Sequence, residues 1–341
     1  MQKNQYQAEL FKNRLQKRFK HLSKWAKREG IFAYRLYDKD IPEIPLAVDI
    51  YFAEDGMDYG EIENKTSKKA FLMIYLYKRP YEKSQEEERE WLLEIEEAAS
   101  ISLLIPKERI FVKLREKQKG KSQYEKTGSS KNLITIKEGE CFFYVNIEDY
   151  LDSGLFLDHR PARSMVTKEA KNKKVLNLFS YTGSFSVYAA KGGASSVDSV
   201  DLSNTYLNWA KENLKLNKLF DAKKTGLIKS DVIRFLEKSI QEQKKWDLII
   251  CDPPTFSNSK SADIFDVNRD WLRLCLLCLE VLSKNGKLYF STNSQKIKFD
   301  EAELISSSKK NIRVKDITKA TIPEDFRNQK IHKMWIIEAC L

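Results

Sequence analysis

Four short stretches of this 341-residue sequence hold residue types suited to gripping a nucleoside-bearing ligand. The first, "LNLFSYTGSFS", is an apolar run that enters a turn with one glycine, Gly183, and leaves into small and apolar residues. A glycine there lets backbone approach a ligand, and a helix starting there offers unpaired N–H groups. The turn residues Asn177, Phe179, Ser180, Tyr181, Thr182 and Gly183 are therefore candidate contacts. The second stretch, "SVDSVDLS", runs to Asp201, 18 residues past Gly183, with Leu202 and Ser203 behind it. An acid ending a second strand accepts hydrogen bonds from both hydroxyls of a ribose. The third, "KSD", places Asp231 to meet an adenine amino group. The fourth, "CDPPTF", supplies Asp252, Pro253, Pro254 and Phe256. An acid followed by two prolines makes a rigid loop of carbonyls at a ligand mouth.

Two cofactor classes use an acid like Asp201: dinucleotides and S-adenosylmethionine. The pyrophosphate fingerprint G-x-G-x-x-G is missing, because "SYTGSFS" has a single glycine. Nicotinamide enzymes have no need of an Asp-Pro-Pro loop, which nucleobase methyltransferases commonly carry. Taken alone, Asp201 reads as a helix cap and Asp252–Pro254 as a turn. Taken in order, on successive strand ends, the four stretches point to a methyltransferase that uses S-adenosylmethionine.

The elements that must position them follow from the patterning. From about residue 170, short apolar strands alternate with helices: "KVLNLFS" then "SFSVYAAKGG", "SSVDSVDLS" then "TYLNWAKENLKLNK", "WDLIICDPP" then "FDVNRDWLRLCLLCLEVL". This alternation indicates an α/β, doubly wound, mostly parallel sheet, with ligands at the carboxyl ends of its strands. Upstream, residues 4–29 read as one helix, apolar at Leu10, Phe11, Leu15, Phe19, Leu22 and Trp25, basic between them and stopped by Gly30. Residues 31–150 mix strand patterns with one helix, "SQEEEREWLLEIEEAASISLL", and a hairpin turning near Glu138–Gly139. The expected organisation is a basic N-terminal helix over 1–30, a smaller α+β domain over 31–150 and a methyltransferase domain over 151–341.

Lys and Arg give the chain a net charge of +11, which favours a polyanionic partner such as RNA. The helix residues Lys17, Arg18, Lys24 and Arg28 and the polar loop at Lys117–Lys126 are the expected phosphate contacts. No signal-peptide pattern opens the sequence, and no run of about 18 apolar residues marks a membrane span, so a cytoplasmic location is expected. Five cysteines fit a reduced compartment; Cys275 and Cys278 lie in a leucine-rich helical run and read as core. The three histidines are far apart in sequence, so no metal is expected.

"LNLFSYTGSFSVYAAKGGA", "VDLSNTYLNWAKENLKLN", "DPPTFSNSK" and "FDVNRDWL" resemble the RlmK family of bacterial 23S rRNA guanine-N7 methyltransferases. The likeness extends through "REKQKGKSQYEK", "YLDSGLFLDHR" and "DFRNQKIHKMWII", nearly the whole chain. In many bacteria this unit is the C-terminal half of a fused protein, and the chain has no room for the other half. The resemblance implies a 23S rRNA substrate, free or in an assembling large subunit, no membrane partner, and S-adenosylmethionine as cofactor. It also implies that "GLFLDHR" brings Phe156, Asp158 and Arg160 to the methionine end of the cofactor. Without it, Asp158 and Arg160 read as a surface ion pair on a linker turn.

Guanine N7 has a free lone pair at neutral pH, so no essential general base is expected. N7 lies on an edge that A-form RNA buries in a deep, narrow groove, so the base must be looped or flipped out, with Phe256 as stacking candidate. The rival cytosine-C5 chemistry needs a cysteine nucleophile. "YFSTNSQ", where relatives of that type carry one, has none, and strand alternation turns Cys251 away from Asp252. Guanine-N2 methylation and an RNA-binding protein with an inactive cofactor fold are the other readings.

Overall fold

The computed structural model describes residues 3–53, 69–78, 83–115, 133–257 and 265–340. The chain divides into two compact units, Met1–Ser153 with Glu324–Arg327, and Gly154–Pro323 with Asn328–Leu341. The division thus falls between Ser153 and Gly154 rather than at 150/151, and four residues from the far end of the chain belong to the first unit.

In the first unit, helix α1 (Lys3–Glu29) ends at Gly30, whose φ of 64° is the left-handed stop that glycine tolerates. α1 is not a separate segment, as the sequence suggested. Its buried Phe11, Leu15, Leu22 and Trp25 join one core with a four-stranded sheet and helix α2 (Gln85–Leu103). The sheet runs β1 (Ala33–Asp38), β2 (Leu46–Phe52), β3 (Ala70–Tyr77), β4 (Ile110–Arg115) in that order. The first two pairings are antiparallel; β3 and β4 are parallel, joined across α2. α2 starts at a capping box, Ser84 with Glu87, and its acidic first turn suits the positive end of the helix dipole. A hairpin, β5 (Leu133–Glu138) and β6 (Cys141–Asn146), turns through Gly139 at φ 59°.

Arg14 and Arg18 of α1 reach partners beyond the helix. Arg14 meets Asp40 at 2.5 Å, and Arg18 donates to the carbonyl oxygens of Leu36 and Asp325 at 3.3 and 3.1 Å. Arg18 is thus committed within the fold, which corrects its assignment as a phosphate contact. Lys17, Lys20 and Lys24 remain exposed. The basic loop Lys117–Lys126 lies outside the described residues.

The second unit is built on a seven-stranded sheet: β7 (Lys174–Leu178), β8 (Ser196–Asp201), β9 (Thr225–Lys229), β10 (Trp246–Cys251), β13 (Leu282–Thr292), β14 (Ile312–Asp316) and β15 (Lys333–Ala339). The two-residue strands β11 (Phe256–Ser257) and β12 (Phe265–Asp266) pair with each other. Spatial order is β14-β15-β13-β10-β7-β8-β9. All neighbours are parallel except at β15, which runs against both β13 and β14. Helices α3 (Arg160–Glu169), α4 (Ser184–Lys191), α5 (Asn204–Leu216), α6 (Val232–Gln241), α7 (Val267–Val281), α8 (Glu301–Ser307) and α9 (Thr318–Thr321) complete it. Strand alternation sends Leu176, Leu178, Ile249 and Phe290 into one core with α6 and α7, and Val175, Leu248, Ile250 and Tyr289 into another with α3 and α4. This is the expected α/β doubly wound fold.

The chain goes from β7 out to β9, then crosses back to β10 on the other side of β7. Strand order reverses between β7 and β10, and the crevice at their carboxyl ends is where such sheets bind ligands.

Candidate active site

Register explains why the candidate residues meet. Val200, Leu178, Cys251 and Phe290 lie in one row across β8, β7, β10 and β13. One residue further along each strand come Asp201, Phe179, Asp252 and Ser291. The site is therefore the next row of the sheet, at the reversal point.

The turn after β7 is tightly wound. Phe179, Tyr181 and Gly183 all have positive φ, at 54°, 50° and 75°. Left-handed conformations at two non-glycine residues cost free energy and persist only where surroundings impose them. The Ser180 N–H donates to the Val200 oxygen at 3.0 Å, and the Tyr181 N–H donates to Asp201 Oδ2 at 2.9 Å. Thr182 is buried, with its hydroxyl donating to the Gly154 oxygen at 2.5 Å, while Asn213 donates to the Thr182 oxygen at 2.9 Å. Gly183 has a further reason beyond ligand approach: a Cβ there would stand 2.6 Å from the Cβ of Ala210 on α5. Asn177 is buried too, donating to Ser186 Oγ at 2.9 Å, which bonds Ser199 Oγ at 2.7 Å. The side chains of Asn177 and Thr182 spend these bonds on their neighbours and hold the turn in place. Phe179 packs on Phe265 at 5.8 Å.

Asp201 receives two backbone donors, Tyr181 N–H on one oxygen and Ser203 N–H on the other, both at 2.9 Å. Burial pushes its carboxyl upward, against the pull of these donors and the Leu202 N–H. Each oxygen accepts two hydrogen bonds, so the carboxylate keeps capacity for a diol. Ser203 caps α5. Asp231 spends one oxygen as the cap of α6, accepting from the Arg234 N–H at 3.0 Å. Tyr181 lies between Tyr206, ring centroids 4.5 Å apart, and Phe156, at 5.2 Å. Phe156 is 40% exposed.

The Asp-Pro-Pro loop is braced from β13. Ser291 Oγ donates to Asp252 Oδ1 at 2.5 Å, and Thr255 Oγ1 donates to Asn293 Oδ1 at 2.8 Å. The Thr255 carbonyl accepts the first N–H of α7, from Val267, at 3.1 Å. Pro253 is buried and Pro254 half-buried, whereas Phe256 is 57% exposed. Cys251 is fully buried with Cys275 and Cys278 in the core, and burial together with its Cys278 contact pushes its thiol well up.

The segment Leu157–His159 departs from expectation. Asp158 pairs with His332 Nδ1 at 2.8 Å, not with Arg160 as a surface pair; Arg160 is buried at the start of α3. Burial would raise the Asp158 carboxyl, but His159 and the His332 bond outweigh it and hold it well below the usual range. His159 Nε2 faces Asp252 Oδ2 at 3.6 Å and Asp158 Oδ2 at 3.7 Å, and burial pushes its imidazole toward the neutral form. Two of the three histidines, separate in sequence, are therefore together. Because β15 is antiparallel, its first residue Lys333 pairs with Thr292 at the carboxyl edge, and His332 arrives at the site from the far end of the chain. Arg163, fully buried, fixes the Phe156 backbone by donating to its oxygen at 2.8 Å. Sequence reasoning missed Arg163, Ser291, Asn293 and His332. The signal for Ser291 and Asn293 was their place at the end of the fifth strand.

Among the described residues, two buried polar atoms here have no hydrogen-bond partner: Ser180 Oγ and His159 Nδ1. A buried hydroxyl without a partner at a strand-reversal crevice, beside a diol-competent carboxylate, fits a nucleoside ligand.

This geometry is that of a nucleoside-cofactor methyltransferase, and a family model described as S-adenosylmethionine-dependent methyltransferase matches residues 51–326. The chain belongs to that family, and within it to the group of the large-subunit ribosomal RNA methyltransferases K. It is 46% identical over 328 residues to Ribosomal RNA large subunit methyltransferase K of Neisseria meningitidis serogroup B, covering 96% of this chain and 86% of that one. It is 43% identical over 333 residues to Ribosomal RNA large subunit methyltransferase K/L of Hahella chejuensis, covering 97% of this chain and 43% of that longer protein. Among solved structures, a methyltransferase complexed with SAH aligns with a TM-score of 0.72 at 23% identity over 97% of this chain and 82% of that one. A SAM-dependent methyltransferase from Streptococcus mutans aligns at 0.70, again at 23% identity, over 97% of this chain and 81% of that one. The cofactor is S-adenosylmethionine, as expected from the sequence. No described helix is long and apolar enough to cross a membrane.

Proposed function

We propose that this protein methylates N7 of a guanine in 23S rRNA, in the cytoplasm. The observation that carries the choice of atom is the burial of Cys251 beside an open Asp252: the site offers an acid to the base, and the thiol next to that acid is buried. Cytosine-C5 transfer needs a covalent nucleophile, whereas N7 attacks with its own lone pair. The ribosomal RNA substrate is supported by the relatives' names and by the exposed Lys17, Lys20 and Lys24 on α1.

S-adenosylmethionine supplies a methyl group on a positively charged sulfonium. Asp201 accepts the ribose hydroxyls, the backbone of Ser180–Gly183 borders the nucleoside, and Asp231 offers its remaining oxygen to the adenine edge. Phe156, Asp158 and Arg160 serve the methionine end. Methyl transfer to N7 leaves the base cationic. The Asp252 carboxylate, aimed by Ser291, stabilises that arriving charge and holds the base edge. Pro253 and Pro254 keep the loop rigid, so little reorganisation is needed. Phe256 is the exposed face on which the flipped base stacks.

The test is nucleoside analysis of 23S rRNA incubated with the purified protein and labelled cofactor. 7-Methylguanosine, cleavable after borohydride and aniline treatment, is the expected product. N2-methylguanosine or 5-methylcytidine would replace this reading by one of its rivals.

A further inference from the structure

The stacked histidines beside Asp252 have no part in the scheme above. His159 and His332 lie ring on ring, centroids 4.5 Å apart and planes 19° apart. His332 is fixed at both nitrogens: Nδ1 bonds Asp158 at 2.8 Å and Nε2 bonds Thr321 Oγ1 at 2.9 Å. Thr321 is in turn tied to the oxygens of Ile317 and Thr318. His159 has no such anchor. Its Nδ1 is buried and unpartnered among the described residues, Phe185 meets it in a T-shaped arrangement at 5.8 Å, and its Nε2 edge faces the carboxylates of Asp158 and Asp252. The ring is therefore oriented by the stack and by those two acids.

Asp158, His159 and His332 also lie close enough together to suggest a metal site. The stack argues against one. An imidazole donates to a metal within its own plane, and two nearly parallel, face-to-face rings hold their lone pairs in separate planes that no single ion shares. Both Nδ1 of His332 and Oδ2 of Asp158 are also already spent on each other.

We propose that His159 is a positioning residue for Asp252, held by its stack on the doubly anchored His332, so that the base-facing acid is braced by Ser291 on one oxygen and an imidazole N–H on the other. The two Asp252 contacts are on different oxygens, Oδ1 for Ser291 and Oδ2 for His159, so together they fix both the swing and the twist of the carboxylate. The 3.6 Å separation is longer than a hydrogen bond, and such contacts often tighten once substrate fills the site. Through this device the last strand and the Leu157–His159 turn both bear on the Asp-Pro-Pro loop. The proposal rests on the reading of Asp252 as the acid that holds the base.

Single-turnover methylation of a 23S rRNA transcript, with cofactor affinity measured by calorimetry, tests it. His159→Phe keeps the ring and removes the donor; it is expected to lower the rate at least about tenfold, with the RNA KM and cofactor affinity within about threefold. His159→Gln places an amide N–H where Nε2 was and is expected to recover most of that loss. His332→Phe, which removes the anchors but keeps a stacking face, gives a second reading of the same loss. In an Asp252→Asn background, His159→Phe should add nothing, because both act through one group. Wild-type rates for folded His159→Phe and His332→Phe, alongside a strongly impaired Asp252→Asn, would overturn the positioning role and leave the function intact. A near wild-type Asp252→Asn would instead remove the base-holding reading and the inference with it. A stoichiometric transition metal in the wild type, lost from His332→Phe, would also contradict the account.

Discussion

The carboxyl edge of the seven-stranded sheet and the charged face of the four-stranded sheet both gather ionisable side chains, to opposite ends. On the four-stranded sheet the groups close on one another. Arg35 grips Asp49 at 2.5 and 3.1 Å, its own N–H reaches Asp325 at 2.9 Å, and the Phe326 ring covers the guanidinium at 4.6 Å. Arg115 pairs with Asp152, and Tyr51 bonds Ser153. On the seven-stranded sheet the groups are held from behind and left open in front. Asp201 and Asp252 each take bonds from the scaffold yet keep acceptor capacity, and Ser180 Oγ has no partner among the described residues. A buried charge network closed on itself is a scaffold. One with oriented but unspent groups is a site.

Breaking the closed network should have the largest effect, and on stability alone. Asp49→Ala takes the bidentate partner from the buried Arg35 guanidinium and leaves it Asp38 at 3.5 Å; a buried pair broken from one side costs about 3–5 kcal/mol. Denaturant unfolding should show that loss, while the folded fraction binds cofactor with unchanged affinity. Breaking the open network should reverse the pattern. Asp201→Ala removes a charged acceptor worth about 1.5–3 kcal/mol per bond, so calorimetry on the folded protein should show cofactor binding weakened at least about tenfold, with a smaller loss of stability from the Tyr181 and Ser203 N–H groups it leaves unpaired. The smallest effect belongs to α1. Replacing Lys17, Lys20 and Lys24 by Gln should weaken RNA binding modestly and flatten its salt dependence as fewer counterions are released. Arg18→Gln should instead act on stability, since its guanidinium is spent on Leu36 and Asp325.

That contrast also explains what could be read from the sequence. The β7 turn, Asp201 and the Asp-Pro-Pro loop were legible because each is a local pattern at the end of an apolar run, and parallel register sets the runs side by side. The fold class was legible for the same reason. His332 was not: it reaches Asp158 only because the last strand is inserted antiparallel, a pairing that nothing near residue 332 encodes. Arg18 was misjudged because charge pattern along a helix does not reveal its partners; Leu36 and Asp325 lie beyond the helix itself. Asn177 and Thr182 stand where ligand contacts were expected, yet their side chains turn to Ser186 and Gly154. Position on a strand end is legible; the direction in which a short polar side chain spends its bond is set by tertiary neighbours.

The central claim is that the base, not the protein, supplies the attacking electron pair at this open edge. The most direct measurement is the rate and product of methyl transfer to 23S rRNA by the Cys251→Ala protein, read by nucleoside mass spectrometry. The account expects 7-methylguanosine, formed within about tenfold of the wild-type rate, because the buried thiol takes no part. Loss of transfer in a folded, cofactor-binding Cys251→Ala protein, with 5-methylcytidine as the wild-type product, would contradict it.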